Sequence, residues 1–231
     1  MEMRSCEQKT SVCYTVFCAV FVTFFIIDLF LEIKVVNAFG LNVTTGIFTF
    51  IVTYVIDDCL TELYGYARAR FVMWITFFLA ILVVGIFQLS VALPAASCMG
   101  SMAEAYDRAF SMGPRILVAI LCGYVACSTV NSWIMSRLKL LSRGRYFKSR
   151  AFISSVFGRA LDALVFHVIA FYGILSLKEA VGFACTTYLI QTAVETMTLP
   201  VSSRLVNWVK QKEGADAYDT DVSYNPFSLK V

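Results

Sequence analysis

Apolar residues run along this chain in stretches of about 20, separated by short polar connections, and about 20 is what a helix needs to cross the hydrocarbon of a bilayer. The stretches lie at Tyr14 to Ile33, Val43 to Leu63, Phe71 to Leu93, Ile116 to Met135, Phe152 to Leu175 and Ala180 to Pro200. The pattern predicts an all-α polytopic membrane protein with about six transmembrane helices. The second stretch is the unusual one. Its wholly uncharged part, Val43 to Ile56, is too short at about 1.5 Å per residue to cross about 30 Å of hydrocarbon. Its carboxylate half, Asp57, Asp58 and Glu62, is therefore expected inside the protein. The plain alternative is an interfacial helix end.

Composition supports this class: 59% of residues are hydrophobic and 15% charged, and mean hydropathy is +0.74. The spans use up most of the chain, leaving no room for a separate soluble catalytic domain, so any site must lie between helices. The expected division is a cytoplasmic N-terminal segment at 1–13, a six-helix transport domain at 14–210 and a mobile cytoplasmic tail at 211–231. The tail is polar and carries Gly214, Asp216, Asp219, Asp221 and Pro226. The first span is expected to be retained, since it is long for a signal peptide, carries Asp28 and lacks a small-residue cleavage pattern.

Loop charges orient the bundle. With the N-terminus inside, inner segments hold Arg4, Lys9, Arg68, Arg70, the run from Arg137 to Arg150, and Arg204, Lys210, Lys212 and Lys230. Outer segments hold only Lys34, Arg108, Arg115 and Lys178. Both termini are thus expected in the cytoplasm. The net charge of +3 is what this asymmetry leaves behind, and it calls for no nucleic-acid partner. The basic loop before the fifth span is expected to touch anionic head groups.

The eight cysteines show no CxxC spacing and mostly sit in spans, as small apolar filler. With one histidine, His167, a zinc site has almost no support. His167 reads as a packed residue, with proton handling as the sharper alternative. No metal and no cofactor is implied.

Polar groups inside spans are costly and face a bundle interior or a wet cavity. They gather in the second span (Asp57, Asp58, Glu62), the fourth (Ser128, Asn131), the fifth (Ser155, Arg159, Asp162) and the sixth (Gln191, Glu195). Asp58 and Glu62 are four apart and share a helix face with Tyr54, and Gly65 ends that helix before Arg68 and Arg70 mark the water. Arg159 and Asp162 are three apart, so they either pair internally or leave the carboxylate able to bind a ligand. Phe166, one turn on, sets an aromatic face beside Asp162. The segments CSTVN, ending at Asn131, and GRALD, ending at Asp162, cross in opposite directions and suggest inverted-repeat character, an arrangement that builds sites near the midplane.

At these residues the chain resembles the queuosine precursor transporters, also called the vitamin uptake transporter family. The second-span signature appears as Asp58, Thr61, Glu62, Tyr64, Gly65, Tyr66 and Arg70. A second block matches Arg115, Asn131 and Arg137-Leu138-Lys139, and a third matches Ser155, Gly158, Asp162 and the phenylalanine-rich stretch to Gly173. The likeness runs from about Gly46 to Pro200. It implies a six-span importer in the bacterial inner membrane that carries 7-deazaguanines, the purine-like bases that become queuosine in tRNA. It also implies a substrate site lined by Asp58, Glu62, Asn131 and Asp162, with Arg159, Gln191 and Glu195 adjusting its charge and hydrogen bonding. A guanine-like edge offers N–H donors to a carboxylate and a carbonyl to an amide or arginine. The chain departs from the family at Ser128, Arg159, Asn131, Gln191 and Thr198, and those exchanges bear on which base is accepted.

Two other classes stay open at this point. A substrate-binding membrane subunit of an ATP-driven vitamin-type importer would take its ATPase from a partner, since no P-loop occurs here. An intramembrane enzyme has little to work with: there is no GxSxG and no HExxH, and only an Asp58 and Asp162 dyad is conceivable. The sequence also leaves a homo-oligomer open.

Overall fold

The computed structural model of the protein describes residues 11–38, 41–214 and 217. Helix α1 (Val12–Leu31) starts at Ser11, whose hydroxyl oxygen accepts the Tyr14 N–H as an N-cap. An antiparallel hairpin follows, β1 (Val35–Ala38) with β2 (Leu41–Thr44), in a register that sets Val36 opposite Val43. Among the described residues this hairpin is the one sheet, a departure from an all-α fold. Val35, Val36, Val43 and Thr44 are β-branched and prefer extended backbone.

The hairpin moves the start of the next helix from Val43 to Ile47. Helix α2 (Ile47–Tyr64) and helix α3 (Tyr66–Ala92) are broken apart at Gly65, whose φ of 86° and ψ of 164° suit glycine and end one helix as the next begins. A 3₁₀ turn at Ser97–Met99 leads to the short α4 (Ser101–Ser111), which buries no residue. Then come α5 (Gly113–Ser142), α6 (Phe147–Phe171) and α7 (Leu177–Glu213). Ser176 and Glu179 form a capping box at the start of α7, each satisfying the other's backbone N–H.

Four helical stretches are long and apolar enough to cross a membrane: Val12–Leu31, Tyr66–Ala92, Ser101–Ser142 and Phe147–Phe171. The protein is a largely helical, polytopic integral membrane protein. Helices α2 and α7 fall outside that group because they carry the polar groups of the interior. On α2, every residue from Ile56 to Tyr64 is buried, including Asp57, Asp58, Thr61 and Glu62. The carboxylate half of the short second span therefore does lie inside the protein. Most of the expected N-terminal segment and tail, residues 1–10 and nearly all of 215–231, lies outside the described residues.

Helices α5 and α6 approach most closely, through glycines. A Cβ on Gly158 would stand 3.0 Å from the Cys127 Sγ and 3.2 Å from the Cys127 carbonyl oxygen. A Cβ on Gly123 would stand 2.5 Å from a carboxylate oxygen of Asp162. Small residues let helix backbones approach where lipid supplies no hydrophobic drive. One apolar cluster gathers Phe17, Phe21, Leu60, Leu63 and Val206; a second gathers Phe25, Ala80, Ile120 and Phe166.

Candidate functional site

Between α1, α2, α5, α6 and α7 lies a cavity of about 550 Å³ of empty space, part of it open to the surroundings. Its free interior is about 50 Å³, below the range of small-molecule sites, about 300–1,000 Å³. Asp162 and Gln191 stand on its wall, with Phe50, Tyr54 and Phe166 supplying aromatic surface. Asp28 of α1 and Glu32, the cap that follows it, close it toward the hairpin, and His167 and Thr187 complete the α6–α7 side. Among the described residues Asp162 makes no salt bridge, and the Gln191 Oε1 atom accepts no hydrogen bond although the residue is 8% exposed. A buried acceptor without a donor is costly, so this face is set for a ligand that donates.

Helix geometry fixes His167. Its Nδ1 lies 2.7 Å from the Ala163 carbonyl oxygen, which only accepts, so Nδ1 carries a proton. The other ring nitrogen lies 3.2 Å from the Thr187 hydroxyl, and the ring packs edge-on against Phe166 and Phe183. The packed reading of this histidine holds, with one edge on the cavity.

Behind Tyr54 and Phe50 lies a second, smaller space with a free interior of about 10 Å³, lined by Asp58, Arg159 and Glu195. Arg159 is fully buried there. It ion-pairs with Glu195, donates to the Gln191 carbonyl oxygen at 2.7 Å, and lies 4.4 Å and 4.3 Å from the ring centres of Phe50 and Tyr54. The guanidinium thus holds the two aromatics between the cavities by cation–π contact. Tyr54 in turn lies 2.8 Å from the Cys127 sulfur and also lines a third space beside Asp57, Tyr124 and Ser128. Asn131 donates to Asp58 at 3.2 Å across the α2–α5 interface, while its own Oδ1 has no partner.

Glu62 sits in a different setting. Arg150 grips its carboxylate with both terminal nitrogens at 2.9 Å and 3.1 Å, Lys210 donates at 2.8 Å, and Lys139 stands 3.7 Å away. Lys139 also donates to the backbone oxygens of Glu62 and Ala217, at 2.7 Å and 2.6 Å. Side chains from α5, α6 and α7 thus converge on one fully buried acid of α2 at the end remote from the hairpin. Three basic residues counted toward the loops are therefore turned inward. Arg70 likewise is 4% exposed and covers the Tyr66 ring, so it does not mark the water as its position suggested.

The comparisons with known proteins agree with this architecture. Residues 44–205, more than half of the chain, match the family described as "Putative vitamin uptake transporter". The chain belongs to the vitamin uptake transporter family. This family member is also 27% identical over 169 residues, 73% of each chain, to a Bacillus subtilis (strain 168) protein named "Probable queuosine precursor transporter". No solved structure matches the chain. The family match starts at the hairpin and covers α2 through most of α7, so it contains the inner cavity walls but leaves α1 outside.

Sequence reasoning named seven site residues, and the structure distributes them. Asp162 and Gln191 line the large cavity; Asp58, Arg159 and Glu195 line the smaller one, with Asn131 directly behind Asp58. Glu62 faces neither cavity, because its carboxylate is taken up by Arg150, Lys210 and Lys139. The internal pair of Arg159 with Asp162 does not form; Arg159 reaches instead across to Glu195, one helix away. That leaves Asp162 facing the cavity. Asp58 and Asp162 line separate cavities with Tyr54 between them, which gives a catalytic dyad no common space. Sequence reasoning did not select Asp28 and Glu32 for the site. Their four-residue spacing on an apolar helix was the signal available.

Proposed function

We propose that this family member imports a queuosine precursor, a 7-deazaguanine base, across the bacterial inner membrane for tRNA modification. The observation that carries the reading is the large cavity, in which a carboxylate without a cation partner and an amide oxygen without a donor face aromatic surface. A guanine-type edge presents adjacent N–H donors that Asp162 can accept as a fork, and Gln191 takes a further donor or serves the ring carbonyl through its amide nitrogen. Phe166 and Tyr54 cover the ring faces. The name of the Bacillus subtilis relative supports the same cargo class.

On this reading residues 14–210 form a transport domain of six spans with both termini in the cytoplasm, and α2 and α7 are the spans that apolar length alone does not pick out. Asp58, Asn131, Arg159 and Glu195 form the next station along the path, behind the Phe50–Tyr54 partition. Glu62 and its three cations close the cytoplasmic end in the conformation seen here. Alternating access would open that closure as the cavity near the hairpin shuts.

The test is a queuosine-deficient bacterial strain without its own importer, expressing this chain and supplied separately with queuine, the cyano base or the aminomethyl base. Restored queuosine in tRNA with one of them supports the reading and names the cargo. No restoration by an inserted protein contradicts it. Uptake by the purified chain alone in liposomes separates a complete importer from a subunit that needs an ATPase.

A further inference from the structure

Asp28 of α1 and Glu32, the cap that follows it, lie outside the family match, yet they form the hairpin-side wall of the substrate cavity. They lie four residues apart on one helix face and lean toward the same point, the first residue before α2. A Cβ on Gly46 would collide with Glu32 Oε1 and would stand 2.8 Å from Asp28 Oδ1. The two carboxylates therefore come within about 5 Å of each other, where two negative charges repel. Glycine at this position is what admits both.

Neither carboxylate has a Lys or Arg partner among the described residues. Asp28 accepts the Thr49 hydroxyl, a neutral donor. The titratable and charged groups on neighbouring elements are Tyr54 of α2, Tyr124 of α5, and Asp162, His167 and Arg159 of α6, with Lys34 exposed before β1. Arg159 is engaged by Glu195 behind the aromatic partition, so Asp162 adds negative rather than positive charge near the pair. Two carboxyls this close without a cation are relieved by holding a proton between them, as paired acids elsewhere do. On the same cavity the buried Gln191 oxygen also lacks a donor, an independent sign that this space takes a ligand.

We propose that Asp28 and Glu32 are the proton-binding site that couples substrate movement to a proton gradient. This rests on the transporter reading above. One carboxylate takes a proton from water on the hairpin side, the pair holds it while the cavity is loaded, and it leaves to water on the other side once access switches; no other bond changes.

The experiment uses the full chain in liposomes, with labelled queuine, cyano and aminomethyl bases in separate runs. Exchange of base across the membrane is compared with accumulation under an inside-alkaline gradient of about one pH unit, which for one coupled proton drives about tenfold accumulation. The wild type is expected to show that response, and Glu32→Gln and the Asp28→Asn/Glu32→Gln double variant to lose it relative to their own exchange. A wild type that exchanges base but ignores the gradient overturns the coupling and leaves transport standing. A variant that still responds overturns it as well. If no base is exchanged at all, the transport reading fails, and infrared spectroscopy still decides the pair: a protonated-carboxyl band present in the wild type and lost in the double variant supports it, and the absence of that band overturns it.

Discussion

Arg150 reaches from α6 to Glu62 on α2 with both terminal nitrogens, at 2.9 Å and 3.1 Å, so a bidentate pair with both partners buried joins two helices at the end remote from the hairpin. The pair is not isolated. Lys210 and Lys139 add two more cations on the same carboxylate. Removing that acid takes its carboxylate partner from the buried Arg150, which costs more than the pair itself is worth.

Glu62→Gln is therefore expected to lower stability by about 3–5 kcal/mol, the usual cost of breaking a buried pair. Adding Arg150→Met should recover part of the loss. Thermal unfolding of both variants in the same detergent checks this; a Glu62→Gln protein as stable as the wild type would show that the closure carries no weight.

Asp162→Asn should reduce uptake by about ten- to a hundredfold, since a hydrogen bond to a charged group contributes about 1.5–3 kcal/mol. Insertion should stay unchanged, because Asp162 forms no ion pair that holds helices together. Uptake in the complemented strain, with the protein quantified in the membrane, measures both.

Gly123→Ala probes the same carboxylate from its neighbour. The added methyl would meet Asp162 Oδ1 at 2.5 Å and the Cβ of Phe166 at 3.5 Å, so the flexible carboxylate must swing away while the ring stays. Substrate affinity should fall by several-fold, with a stability change of no more than about 1–3 kcal/mol. A variant with unchanged affinity would show that the position of Asp162 is not set by this glycine.

Much of this arrangement could be read from the chain because intramembrane charge is rare and has to be explained. The buried end of α2, the break at Gly65 and the placement of Asp162 between helices all follow from that rule and from glycine's backbone freedom. Which acid pairs with which base did not follow. Arg159 has Asp162 three residues away on its own helix, yet it chooses Glu195 on α7, a choice set by the packing of α6 on α7. Glu62 shares a helix face with Asp58, but the cations converging on it come from residues 77, 88 and 148 positions away in sequence. The β1–β2 hairpin was hidden inside an apolar run, where strand and helix give the same hydropathy.

The far end of α7 offers a pH-dependent contact. Ser11 and the Cys13 backbone N–H donate to Glu213, and those hydrogen bonds hold its carboxyl down at about 2, below its ordinary 4.5. A depressed carboxyl contributes stability that is fully present above its unfolded value and is lost as pH falls from about 4.5 through about 2. The contribution is small because the group is well solvated. Unfolding of the wild type against Glu213→Gln should differ at neutral pH and converge toward pH 2; a constant difference would show that the carboxylate plays no part.

The most direct measurement of the central claim is uptake by the purified chain in liposomes of a 7-deazaguanine beside its analogue lacking the 2-amino group. If Asp162 accepts the adjacent N–H donors of a guanine edge, the analogue should be taken up about ten- to a hundredfold less well, and Asp162→Asn should erase the preference. Equal uptake of the two compounds by the wild type would contradict the account.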